Sequence, residues 1–417
     1  MLVTCFSSNR SSAPLLRTWL CGAMLASLCA CGTLSNMEVD ADGASAMRFA
    51  RSGDLTKEVD ALAQPLIDSK ESTGLIVGVL LPDGNEKFFG YGVTEQNGQR
   101  PNAHTLFAIG SLSKSFLAGT VAILVQEGKM RWDETLETLM PPHITLSSDA
   151  KKITLLHLVT HTSGLPRQPF TPETLGYFVE YLFTGKSFYR HFDRDYLLNY
   201  MATFKGDGKH QPQYSNIGYG LLGYIVESRT SEKMGALVSK KLLQPLQLSG
   251  TGYAPEQLPG YATRARGHAG DQPKFIRRGQ PVPDWRFTDI MSGSAALYSN
   301  ASDLLGYAKA HLYESGDSVR DPALRETMKV RYERPVEAAA TGWIVDDIGG
   351  RKITYQIGLV AGYTAYLGMD VANRTTVVVL QNNFNWNNRI GHRLLLRMAR
   401  AHHEQRLRTA DGLLKSH

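Results

Sequence analysis

Beyond residue 31 the chain of 417 residues contains no cysteine. Cys5, Cys21, Cys29 and Cys31 are the whole complement, so the rest of the chain has no disulfide and no thiolate metal site. A strong charge of one sign is also missing. Lys and Arg number 45 against 39 Asp and Glu, a formal +6, and Arg10 and Arg17 precede the first acid, Glu38. An excess that small and scattered excludes a nucleic-acid-binding reading. There is no internal repeat. With 42% hydrophobic and 20% charged residues, disorder, collagen and coiled coil are excluded, which leaves a globular protein with material for a large core.

The cysteines that are present mark processing. After Arg17, residues 18–31 form an apolar stretch of signal-peptide length, too short to span a bilayer as a mature anchor. Leu28-Cys29-Ala30-Cys31 resembles a bacterial lipobox, which implies that Cys31 is lipidated and becomes the new N-terminus. The alternative is an ordinary secretory signal cut near Ala30. Either outcome exports the protein. The expected organisation is a signal peptide over 1–31, a small, polar tether over 32–54, and one domain over 55–410 with a mainly helical insert at about 130–290.

Mixed α/β signals follow. Leu75 to Leu81 and Lys87 to Val93 are β-favouring runs separated by Pro82-Asp83-Gly84-Asn85, which predicts a hairpin. Leu112 to Val125 is apolar or small almost throughout and ends at Gly128, the pattern of a helix buried on all sides. Ile153 to Thr162 predicts another helix, stopped by Gly164 and Pro166, and Ser231 to Leu243 a short one. Trp343 to Val345, Lys352 to Tyr355, Thr364 to Asp370 and Thr375 to Gln381 predict four strands, and Ile390 to Arg406 a basic helix. Strands at both ends with helices between them predict one antiparallel sheet built from N- and C-terminal pieces, an α/β (α+β) architecture.

The chemistry begins at Ser111-Leu112-Ser113-Lys114. A serine in the first turn of a buried helix shares a face with a lysine three residues on, and a lysine so placed is set to accept the hydroxyl proton. The helix N-terminus aims backbone N–H groups and positive dipole at the position of an acyl oxyanion. Ser113 and Ser115 fit this geometry less well. Further on, Gln213-Tyr214-Ser215-Asn216-Ile217 reads as an extended segment in which Tyr214 and Asn216 point the same way, a phenol for proton transfer beside an amide that can bind both Lys and a substrate amide. The plain alternative is a strand tyrosine followed by a helix-starting Asn.

Other motifs fail for want of a partner. Gly218-Tyr219-Gly220-Leu221-Leu222-Gly223 matches a dinucleotide fingerprint but opens no βαβ unit and has no acid about 20 residues on. His157 and His161 have the spacing of a zinc motif, but Leu158 stands where the glutamate belongs. Arg393, Arg397, Arg400 and Arg406 on the C-terminal helix read as a solvated face.

Taken in order, Ser111-x-x-Lys114, the segment from Leu155 to Pro166, Tyr214-x-Asn216 and the run Ser292 to Ser299 are similar to the serine β-lactamase and penicillin-binding-protein superfamily, in the branch of class C β-lactamases, D-alanyl-D-alanine carboxypeptidases and family VIII esterases. The resemblance spans roughly residues 60 to 400. It implies the β-lactamase/transpeptidase-like fold, Ser111 as nucleophile, Lys114 as general base, Tyr214 as proton shuttle and Asn216 as the group orienting lysine and substrate. His161 then belongs to a structural motif. The chemistry implied needs neither metal nor cofactor. The substrate would be a D-amino-acyl peptide, a β-lactam or an ester, met on the periplasmic side of the bacterial envelope, with membrane attachment through the lipid anchor.

One part of the pattern is absent. Where relatives carry Lys-Thr-Gly or His-x-Gly, this chain has Gln356-Ile357-Gly358, followed by Leu359. The resemblance implies that this stretch still binds substrate, with Gln356 as a neutral ligand, Gly358 keeping the strand approachable and Leu359 N–H joining that of Ser111 as oxyanion hole, but the cation that holds a substrate carboxylate is gone. A charge-assisted hydrogen bond contributes about 1.5 to 3 kcal/mol, so its loss costs roughly tenfold to over a hundredfold in affinity. Arg389, after an asparagine-rich run from Asn382, offers a replacement, the alternative being a solvated arginine in the first turn of a helix. Three functions follow: a β-lactamase or carboxypeptidase-like hydrolase, a carboxylesterase favoured by the neutral Gln356, or a non-catalytic peptidoglycan-binding envelope protein.

Overall fold

Alternating side chains on the central strands send apolar groups to both faces of one sheet, and helices cover each face. The structure is a computed structural model that describes residues 43–333, 337–348, 350–386 and 390–414. The expected signal peptide and Cys31 lie outside those residues. Helix α1 (Gly43–Ser52) and α2 (Leu55–Asp68) lead into strands β1 (Gly74–Leu80) and β2 (Glu86–Gly92). A short β3 (Phe107–Ala108) precedes α3 (Ser113–Gln126), and the helical region includes α4 (Leu155–Val159), α5 (Pro172–Thr184) and α6 (Asn216–Thr230). Then come α7 (Ser292–Ala295), β4 (Tyr298–Ser299), α8 (Ala301–Leu312) and α9 (Arg320–Thr327). The chain closes with β5 (Glu337–Ala339), β6 (Ile344–Ile348), β7 (Arg351–Val360), β8 (Tyr363–Asp370), β9 (Thr375–Gln381) and α10 (Ile390–Leu414).

The seven-stranded sheet has the order β2-β1-β9-β8-β7-β6-β5, antiparallel throughout, so the N-terminal hairpin pairs directly with the last strand. This is the sheet the sequence predicts, joined at β1 and β9 with Val77 opposite Val379. Leu75, Val77 and Val79 pack with Val59 of α2 and Leu394 of α10, whereas Ile76 and Leu80 pack on the other face with Leu304 and Leu305 of α8. Both strands are buried along their whole length, which explains their continuous apolar runs. Every residue of α3 from Ser113 to Leu124 is buried, as a helix apolar on all sides requires. One lobe of the core, around Leu158, Tyr219, Leu221 and Leu222, belongs to the helical region.

Two expectations change. The tether gives way to helix α1 over Gly43–Ser52, whose Ala46 and Ala50 are buried and which packs on α10. Alanines four apart make a narrow helical stripe that reads as low complexity until a partner helix covers it. The helix expected over Ser231 to Leu243 starts later, at Met234, because Ser231 takes a left-handed φ of 57° and closes α6.

Candidate active site

Ser111 sits where strand gives way to helix. After β3, Gly110 adopts a left-handed φ of 53°, and the 3-10 turn Gly110–Leu112 brings Ser111 to the head of α3. Ser113 locks that turn, its Oγ donating to Gly110 O at 2.6 Å and accepting from Leu297 N at 3.0 Å. Ser115 Oγ donates to Leu112 O at 2.8 Å, so both neighbouring serines brace the backbone.

Lys114 is fully buried. Its Nζ donates to Ser111 Oγ at 3.1 Å, Asn216 Oδ1 at 2.8 Å and Ser294 O of α7 at 2.7 Å. Three acceptors match the three N–H directions of an ammonium, which is what makes a buried lysine tolerable in an apolar helix. The nucleophile–base contact therefore has its orienting groups already in place.

Asn216 opens α6, and Ser215 is the N-cap, its Oγ accepting from Gly218 N at 2.9 Å and donating to Pro166 O at 2.8 Å. The extended geometry expected for 214 and 216 is thus corrected: the cap at Ser215 makes Asn216 helical, and Tyr214 lies in the loop before it. Both still converge on the lysine. Lys114 Nζ is 4.9 Å from the centroid of the Tyr214 ring. Arg167 Cζ lies 4.7 Å from the same centroid, so two cations flank the phenol ring. The His161 ring packs against Tyr214 with centroids 4.4 Å apart, and its Nδ1 accepts from Ser215 N at 3.1 Å. Burial first, then the charges of Lys114 and Arg167, hold His161 well below the ordinary histidine value, in its neutral form.

Tyr189 is a site residue that motif reading misses. Its hydroxyl accepts from Asn216 Nδ2, and it donates to Gln168 Oε1 at 3.3 Å. This fixes which way the Asn216 amide faces and so keeps Oδ1 on Lys114. Tyr189 sits on an isolated 3-10 turn, Phe188–His191, with no local signal beyond an aromatic-rich run. Arg167 carries no signal either, and Ser294 contributes only its carbonyl.

The opposite wall is β7. A methyl on Gly358 would fall 1.8 Å from Ile109 O and 3.2 Å from Ser111 N, and one on Gly110 would fall 2.9 Å from Leu359 N. Only glycines allow this approach, which brings the backbones of Ser111 and Leu359 together. Gln356 turns inward. It is 2% exposed, its Nε2 donates to Gly342 O at 3.1 Å, and its Oε1 accepts from Ile357 N at 3.0 Å. As a substrate ligand it is therefore corrected to an internal brace, because both polar ends are already used.

The asparagine run after β9 is internal too. Asn383 Oδ1 accepts from Thr73 N at 2.5 Å, Asn382 Nδ2 donates to Thr94 O at 2.9 Å, and Asn385 Nδ2 donates to Gln381 Oε1 at 3.0 Å. Arg389, which follows, lies outside the described residues. His157, the other member of the rejected zinc spacing, accepts from Thr154 N at 3.2 Å and closes a capping box.

Comparison with known proteins converges on one family. The family model described as Beta-lactamase matches residues 59–400. The chain is 26% identical over 262 residues to a beta-lactamase of Providencia stuartii, covering 61% of this chain and 60% of that one. It is 25% identical over 259 residues to the D-alanyl-D-alanine-carboxypeptidase/endopeptidase AmpH of Escherichia coli (strain K12), covering 61% of each. The chain thus spans about three fifths of the length of these curated relatives. Among solved structures, a class C beta-lactamase in complex with cefoxitin superposes with a TM-score of 0.68 at 22% identity, covering 82% of this chain and 98% of that one. That likeness shows the β-lactamase/transpeptidase-like fold. With the match running from α2 through α10 and enclosing every residue of the site described above, the chain belongs to the beta-lactamase family.

Proposed function

We propose that this chain is an exported serine hydrolase that opens an amide, β-lactam or ester carbonyl through an acyl-enzyme on Ser111. The observation that carries the reading is Lys114 Nζ, fully buried, 3.1 Å from Ser111 Oγ and aimed there by Asn216 and Ser294 O. In this mechanism the reactive form of Lys114 is the neutral amine: two N–H groups stay on Asn216 Oδ1 and Ser294 O, and the lone pair toward Ser111 accepts the hydroxyl proton as Oγ attacks the carbonyl carbon. The backbone N–H groups of Ser111 and Leu359 receive the oxyanion at the contact that Gly358 and Gly110 permit. Tyr214 carries the proton to the leaving group, and water then releases the acyl group by the reverse transfers. Asn216 keeps the lysine in register. Tyr189 is a positioning residue behind it.

The relatives' names, beta-lactamase and D-alanyl-D-alanine-carboxypeptidase/endopeptidase, support β-lactams and D-alanyl peptides as substrate classes. A carboxylesterase is the second reading. It is favoured by Gln356, which stands where a cation would hold a carboxylate and is turned inward. A silent peptidoglycan-binding protein would have no use for the three-acceptor seat of Lys114. Export and a lipid on Cys31 on the periplasmic side rest on the leader sequence; palmitate labelling abolished by Cys31→Ser would support the anchor, and labelling that survives would refute it.

Relative rates on nitrocefin, a D-Ala-D-Ala peptide and p-nitrophenyl butyrate decide among lactamase, peptidase and esterase. Covalent labelling by fluorescent penicillin or a fluorophosphonate is expected in the native chain and not in Ser111→Ala. Labelling that persists in the variant would overturn the nucleophile assignment.

A further inference from the structure

Helix α5 carries apolar residues on the side that faces water as well as on the side that faces the core. Tyr181 is buried beneath it, while Leu175, Val179 and Phe183, spaced four apart, are 39%, 41% and 60% exposed. Phe170 just ahead of the helix is 64% exposed, and Phe275 from a neighbouring loop is 61% exposed. Phe275 is no accidental neighbour: its N–H donates to Leu182 O at 3.0 Å, and its ring stacks on Phe183 with centroids 4.4 Å apart. Leu175, Val179 and Phe183, about one turn apart on one helix face, with Phe275 stacked on the last, form an apolar stripe about 12 Å long that isolated surface residues do not.

The charges around the stacked pair are one-sided. Lys186, Lys274 and Arg277 are exposed, and among the described residues none of them forms a salt bridge. The nearby acids are taken: Glu180 pairs with Arg190 at 2.6 Å, and Asp271 pairs with Arg278. Glu173 is exposed at the far end of the helix, away from the stacked pair.

We propose that this face docks on an anionic lipid surface, with Phe183 and Phe275 entering the boundary between headgroups and acyl chains and Lys186, Lys274 and Arg277 meeting headgroup phosphates. Apolar aromatics beside a basic fringe are the signature of interfacial attachment, in which burial and headgroup attraction act together. A second copy of the chain is a poorer occupant, since a two-fold contact centred on the phenylalanines would bring two sets of the same three cations together. The apolar stretch 18–31 is poorer too, because it holds no acid; the acids of residues 1–42 are Glu38, Asp40 and Asp42. The surface is independent of any lipid on Cys31 and of the hydrolase reading.

The chain's few cysteines make a local test possible. In the full-length chain with Cys5, Cys21, Cys29 and Cys31 changed to Ser, Val179→Cys provides a single thiol for an environment-sensitive fluorophore. Vesicles of phosphatidylglycerol and phosphatidylethanolamine should shift its emission to the blue and shield it from an aqueous quencher. Vesicles of phosphatidylcholine alone should do so weakly. Adding Lys186→Glu, Lys274→Glu and Arg277→Glu should raise the lipid concentration for half-maximal shift about tenfold or more. A probe that stays in water with anionic vesicles overturns the proposal, wherever else the chain binds them. A shift that grows with protein concentration and needs no vesicles overturns it in favour of a second copy.

Discussion

The helical wall of the site holds its polar atoms with side chains from distant segments, whereas the strand wall presents backbone. On the first, Lys114, Asn216 and Tyr189 form a connected chain of hydrogen bonds, with Ser294 O as the remaining acceptor. On the second, Gly358 removes the side chain altogether and Gln356 is spent on Gly342 O. The difference separates two tasks. Bond-breaking needs a proton acceptor fixed against a nucleophile, and that wall is fully assembled. Recognition of a carboxylate needs a cation, and the strand supplies none at position 356.

The comparison can be broken most severely at the nucleophile. Ser111→Ala should lower turnover about a thousandfold or more while leaving the thermal unfolding midpoint little changed. If turnover survives, the helical wall is not catalytic. Next is Gly358→Ala, whose methyl would lie 1.8 Å from Ile109 O. Pushing β7 off the serine by even about 1 Å should cost about a hundredfold in kcat, measured with a simple ester so that carboxylate binding plays no part. Tyr189→Phe should cost about tenfold in kcat/KM, because it leaves a buried amide N–H of Asn216 without its acceptor, a penalty of about 1 to 3 kcal/mol. An unchanged rate would remove Tyr189 from the helical wall.

Gln356→Ala sharpens the strand side. A brace lost should reduce rates a few-fold and equally on esters and on carboxylate-bearing substrates. A loss confined to the carboxylates would restore Gln356 as a ligand. A further effect is on stability. Burial pushes His157 and His311 down to about 4, with His210 adding to the effect at His157. Depressed histidines favour the unfolded chain once it can protonate them. Their stabilising contribution is therefore present above the ordinary value of 6.5, is lost as pH falls from there to about 4, and changes no further below. The urea midpoint should fall over that window, and His311→Gln should flatten part of the slope.

Much of this was legible in residue order because the relevant geometry is local. Ser111 and Lys114 face each other since i and i+3 share a helix face, and the strands announced themselves as apolar runs bounded by turns. Helix α1 was missed because its two buried alanines carry meaning only when α10 lies over them. The role of Gln356 was misread because its position in the motif says where the side chain starts, while the carbonyl of Gly342 decides where it ends. Tyr189 lay on a turn with no pattern of its own, as did Arg167 over the Tyr214 ring.

By itself, then, the sequence determined the strands, the buried helix α3, the serine–lysine pair on it and the missing cation at Gln356, all properties of neighbours along the chain. Tertiary structure alone decided what seats the lysine, because Asn216 and Ser294 lie 102 and 180 residues from it in the chain. Contacts over such separations depend on how helices and sheet pack, and no local propensity encodes which carbonyl will meet a buried ammonium.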